Sequence, residues 1–86
     1  MKSRRTKQFK KLFDRLPSHV QDQAKVAYSH FKHDPHYPSL HFKCIDPKES
    51  RYSVRIGPKY RALGIMAGDE ITWDWIGPHD KYDHMI

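Results

Sequence analysis

Lys43, Lys48, Arg51, Arg55, Lys59 and Arg61 crowd one stretch of the chain and are opposed there only by Asp46 and Glu49. Arginine suits phosphate oxygens because its planar fork donates two parallel hydrogen bonds and keeps its charge at any cellular pH. A second basic run comprises Lys2, Arg4, Arg5, Lys7, Lys10, Lys11 and Arg15 against Asp14 alone, and it matches the whole formal net charge of +6. From Ala62 onward the balance reverses, with Lys81 set against Asp69, Glu70, Asp74, Asp80 and Asp83. Two basic zones and an acidic end are the footprint of a polyanion binder, whose affinity would fall steeply with salt. The bland alternative for the N-terminal run is a solubilising surface.

Other reactive side chains are fewer. Imidazoles as a class exchange protons near working pH, so with His79 and the ring of Tyr82 the C-terminus holds a candidate proton-transfer group and a stacking or orienting group. Bracing the chain end is the structural alternative for His79, and a cross-sheet ion pair with Asp74 is the alternative for Arg55. His30, His33 and His36 have helical spacing, but no cysteine or carboxylate pattern accompanies them, so they read as surface histidines with no metal. Trp73 and Trp75, two apart on a strand, share a face and read as core, with direct stacking on nucleic acid as the alternative. Cys44 lies in an apolar alternation and reads as a buried thiol; a lone cysteine forms no internal disulfide, which fits a reducing, cytoplasmic setting. No stretch is long and apolar enough to span a bilayer, and the charged N-terminus leads into an amphipathic helix. The expectation is a protein neither secreted nor membrane-spanning.

These side chains need elements to hold them. An 86-residue chain has room for one hydrophobic core, so a single domain over residues 1–86 is expected. From Thr6 to Leu16, Phe9, Leu12, Phe13 and Leu16 recur at helical spacing with cations on the other side, and Pro17 stops that helix. Ser18 and Gln21 have the spacing of a capping box, after which Val20, Ala24, Ala27, Tyr28 and Phe31 continue at helical period until Asp34-Pro35. Beyond Pro38 the period becomes two, the mark of strands. Leu40, Phe42 and Cys44 alternate with His41 and Lys43, and Tyr52, Val54 and Ile56 alternate with Arg51, Ser53 and Arg55 after a loop at 46–50. Two more strands, Tyr60 to Met66 and Ile71 to Ile76, follow a Gly57-Pro58 turn and flank a tight turn at Ala67-Gly68-Asp69.

The fold class is therefore α+β: an N-terminal helical hairpin packed on one face of a mainly antiparallel sheet of three to four strands. Covering one face leaves the other to His41, Lys43, Ser53 and Arg55 by alternation, with the phase of Arg61 left open by the Gly57-Pro58 turn, a surface that calls for solvent or an anionic ligand.

The segments YSVRIGPKYRALG (Tyr52–Gly64) and WDWIGPHDKY (Trp73–Tyr82), with the helical hairpin and the approach from Asp34-Pro35 to Leu40, resemble the RelE/ParE superfamily of bacterial toxins from type II toxin–antitoxin systems. The likeness spans most of the chain. It implies a RelE-like fold, a cognate antitoxin as partner, and no cofactor. It also implies a ribosome-dependent, metal-independent endoribonuclease that cuts mRNA in the 30S decoding site by attack of the ribose 2′-OH on the adjacent phosphate. That reaction needs a base, cations for the developing phosphorane and an acid for the leaving oxygen. On this pattern Arg61 stabilises the transition state and Arg55 positions the phosphate, with His79 and Tyr82 for proton transfer or orientation. Lys43, His41, Arg51, Lys59, Lys10 and Lys11 are the candidates for binding the rest of the RNA.

The chain departs from the pattern in two places. Ser39 stands where some members place a glutamate base, and His79 and Tyr82 are separated by Asp80 and Lys81 where that subgroup has adjacent residues. The resemblance equally covers ParE-type proteins, which poison DNA gyrase without cutting RNA, and decayed toxins that only bind their antitoxin.

Overall fold

The computed structural model describes residues 1–85. A short strand, β1 (Lys2–Arg5), leads into helix α1 (Lys7–Asp14) and helix α2 (Ser18–His33). A single 3₁₀ turn at Pro38–Leu40 precedes β2 (Lys43–Asp46), β3 (Arg51–Ile56), β4 (Tyr60–Ala67) and β5 (Glu70–Pro78), and helix α3 (His79–Met85) closes the chain.

Local chemistry sets the helix ends. Thr6 caps α1 by accepting the Phe9 N–H on Oγ1 at 3.1 Å, satisfying one of the donors a helix start leaves unpaired. At α2 the expected capping box is absent. Pro17 is the N-cap, and its carbonyl accepts from the Val20 and Gln21 N–H groups. Gln21 instead donates its side-chain amide to the Phe13 carbonyl at 2.9 Å, tying α2 to the end of α1.

The five strands form one sheet in the order β1-β5-β4-β3-β2, antiparallel except for the parallel β1–β5 pair. The α+β expectation holds, and the extra strand is β1. The 40–44 segment is corrected in part, because Leu40 is buried within the 3₁₀ turn and the strand starts at Lys43. His41 follows that turn in the left-handed region (φ 46°) and is exposed, so it does not belong to the cationic sheet face. Cys44 is exposed, not buried.

One sheet face carries Val54, Ile56, Ala62, Ile71, Trp73 and Ile76, which pack with Phe9, Ala24, Ala27, Phe31 and Leu40 as the core. Phe31 meets Trp73 and Phe42 edge-on, with centroids 5.4 and 5.1 Å apart. Burial of these rings and aliphatics is the main favourable term in holding helices to sheet. The tryptophans part company. In the β4–β5 register Gly64 pairs with Trp73 and Leu63 with Trp75, leaving Asp74 as an extra residue. Such a bulge puts two successive side chains on the same side, so Trp73 joins the core while Asp74 and Trp75 face away from it. The expectation that both tryptophans share a face is overturned by this one residue.

Candidate functional site

The face turned away from α1 and α2 is read from the register. Lys43, Ser53, Leu63 and Trp75 form one row across β2–β5, and Arg55, Arg61 and Gly77 form the next. Arg55 and Arg61 are direct cross-strand partners. Like charges so placed repel, and a pair of this kind is destabilising unless an anion lies between them. Among the described residues neither guanidinium meets a carboxylate. Arg55 donates Nε–H to the Gly57 carbonyl at 3.0 Å, and Arg61 donates to the Tyr60 carbonyl at 3.0 Å.

Arg51, on the same face, is arranged differently. It holds Asp74 in a two-pronged ion pair at 2.9 and 3.1 Å, with both side chains about one quarter exposed. The bulge is what aims Asp74 at it. Asp74 thus has Arg51, and not Arg55, as its structural partner, and the pairing neutralises one of the expected RNA-binding cations. Arg55 and Arg61 have no such carboxylate partner among the described residues.

The C-terminal group sits beside them. Gly77 pairs with Arg61 and Pro78 with Tyr60, and the His79 N–H donates to the Lys59 carbonyl at 2.8 Å, so His79 and Lys59 lie at the Arg55–Arg61 end of the sheet. The His79 ring is part-exposed, with Nδ1 3.2 Å from Asp83 Oδ2 and Nε2 3.5 Å from Asp80 Oδ1. Tyr82 is buried to 5 % exposure; Arg61 Cζ stands 5.9 Å from its ring centroid, and its hydroxyl is 3.5 Å from Ser53 Oγ. A hydroxyl contact that long is weak. The ring braces Arg61, and its burial leaves no face for an unpaired base to stack on, contrary to that part of the expectation.

The expected set is thereby divided. Arg55, Arg61, His79 and Lys59 gather at one end of the sheet, with Tyr82 beneath Arg61 and exposed Lys43 one row away. Arg51 is engaged by Asp74, and His41 lies off the sheet. Lys10 and Lys11 are exposed on α1, which packs through Phe9 on the opposite layer. Two arginines paired across the sheet, with an imidazole at the same end, are the residue types that hold a phosphodiester and move a proton next to it, although Arg55 also lines a cavity with Val26, Ala27, His30, Ser39 and Leu40.

The chain belongs to the ParE-like toxin domain family, whose model matches residues 18–84. No curated protein sequence matches it. Among solved structures, the RelB–RelE antitoxin–toxin complex from Methanococcus jannaschii is similar at 21 % identity and a TM-score of 0.74, over 96 % of this chain and 99 % of that one. YafQ from E. coli strain BL21(DE3) is similar at 8 % identity and a TM-score of 0.72, over 93 % and 94 %. The YoeB/ParE toxin from Agrobacterium tumefaciens is similar at 14 % identity and a TM-score of 0.70, over 92 % and 99 %.

Proposed function

We propose that this toxin is an endoribonuclease that cleaves mRNA on the ribosome, using Arg55 and Arg61 as the phosphate cradle. The observation that carries the reading is the opposed, unneutralised Arg55–Arg61 pair with His79 at the same end of the sheet. A scissile phosphate between the two guanidinium groups relieves their repulsion, and the relief grows as the phosphorane gains charge, which is how electrostatic preorganisation lowers a barrier. Arg61, braced by Tyr82, faces the developing charge; Arg55, tethered to the Gly57 carbonyl, fixes the phosphate; His79 exchanges the proton with the leaving oxygen. Of the carboxylates near the site, Asp74 is held by Arg51, and Asp80 and Asp83 stand against the His79 ring.

Its partner is a cognate antitoxin. An apolar cleft of about 360 Å³ opens between the helices and the sheet, walled by Phe9, Phe13, Phe31 and Trp73, with Arg5 and Lys25 also lining it. Apolar side chains of an acidic antitoxin segment complement such a seat. The test is in vitro translation with purified protein in the presence and absence of a metal chelator: truncated mRNA in both supports the reading.

The ParE-like family match favours a second reading, a gyrase inhibitor that uses the same fold only to bind. DNA damage on induction, with mRNA intact, is its signature.

A further inference from the structure

Trp75 is the aromatic residue that the β5 bulge turns from the core onto the arginine face. Trp73 is 5 % exposed and packed against Phe31, whereas Trp75 is partly exposed on the other side of the sheet. Its ring runs along the strand over Gly77: a Cβ at position 77 would lie 2.7 Å from Trp75 Cζ2 and 2.9 Å from Cη2. Gly77 is the cross-strand partner of Arg61, so the six-membered ring of the indole lies beside the Arg55–Arg61 row. Among the described residues no other ring stacks on Trp75 and no cation sits over it, although Arg61 is near enough in register and instead stands over Tyr82. The glycine and the bulge together lay a partly exposed indole beside the Arg55–Arg61 row.

We propose that Trp75 is the stacking platform for a base of the RNA strand whose phosphate is held between Arg55 and Arg61. This rests on the ribonuclease reading above. Single-stranded RNA is held by aromatic faces set beside cations, because every base has a π-face and each phosphate a charge. Trp75 supplies the face that buried Tyr82 does not. Gly77 acts through Trp75 as a positioning residue: any side chain there displaces the indole from the Arg61 row.

The test uses purified full-length protein and ribosomes programmed with an mRNA that carries either an ordinary base or an abasic site next to the mapped cut. Trp75→Leu keeps apolar bulk without the π-face, Trp75→Phe keeps a smaller π-face, and melting curves check that each variant is folded. On ordinary mRNA, Trp75→Leu is expected to cut roughly tenfold more slowly than the intact protein, in line with the loss of one base stack. Trp75→Phe should lie between the two, and Gly77→Ala should resemble Trp75→Leu. On the abasic mRNA the intact protein and Trp75→Leu should cut at the same rate. A tenfold gap that persists on the abasic substrate, or no gap on the ordinary one, overturns the proposal. Failure of the intact protein to cut either mRNA instead overturns the ribonuclease reading, and this inference with it.

Discussion

Arg55 on β3 and Arg61 on β4 stand directly across from each other with no carboxylate partner among the described residues, while two rows away the same face neutralises Arg51 with Asp74. A sheet surface that pairs one arginine and leaves two opposed retains repulsion in its unliganded state. A ligand that brings negative charge between the two arginines would relieve that repulsion.

Inorganic phosphate should stabilise the intact protein and leave Arg61→Ala unaffected. Opposed like charges cost roughly 0.2–1 kcal/mol, and the contact of Arg61 with the Tyr82 ring returns a similar amount, about 0.5–1 kcal/mol. The variant should therefore melt near the intact protein in low salt. The decisive readout is the shift in melting temperature with millimolar phosphate. Equal shifts in the two proteins would show that the anion binds elsewhere.

Tyr82 should matter as a ring and not as a hydroxyl. It is 5 % exposed, and its hydroxyl contact is a long 3.5 Å. Tyr82→Ala should lose about 3 kcal/mol in urea unfolding, as large-to-small changes at buried aromatic sites do. Tyr82→Phe should fold with nearly full stability and keep RNA cleavage. Abolished cleavage in a stable Tyr82→Phe protein would instead make the hydroxyl a proton-transfer group.

Asp74→Ala should cost about 1–2 kcal/mol, between the values for exposed and fully buried ion pairs, because the pair with Arg51 is two-pronged and about three quarters buried. Urea denaturation of both single variants and of the double variant with Arg51→Met gives the coupling energy. Independent, additive effects would contradict the pairing.

Cys44 is exposed on β2, so a water-soluble disulfide reagent should modify it fully and rapidly in the native state. Reaction only after denaturant is added would return the thiol to the core.

Much of this architecture was legible in the residues. The helical spacing of Phe9, Leu12 and Phe13, the stop at Pro17 and the period of two from Tyr52 to Ile56 gave the layers and the phase of Arg55. What could not be read depended on partners distant in sequence. β1 has no apolar alternation, since Lys2, Arg4 and Arg5 stay exposed; it is a strand only because β5 offers its edge. The bulge at Asp74 leaves the count of alternating residues unchanged yet reverses the face of Trp75, so periodicity assigned that ring to the core. His41 was misplaced because Pro38 starts a 3₁₀ turn that absorbs Leu40 before β2 begins, whereas Cys44 keeps the phase of its partner Tyr52 but is exposed on the edge strand β2. Of the candidate site, both arginines were visible in type and Arg55 in phase, whereas the phase of Arg61 beyond the Gly57-Pro58 turn required the register. The neutralisation of Arg51 and the burial of Tyr82 required the register.

The central claim is that the Arg55–Arg61 pair cuts RNA, and primer extension on cellular mRNA after brief induction tests it most directly. The intact protein is predicted to produce new 5′ ends within coding sequence, and Arg61→Ala, equally expressed and folded, to produce none. Unbroken mRNA with the intact protein, or an undiminished set of ends with Arg61→Ala, would contradict the account.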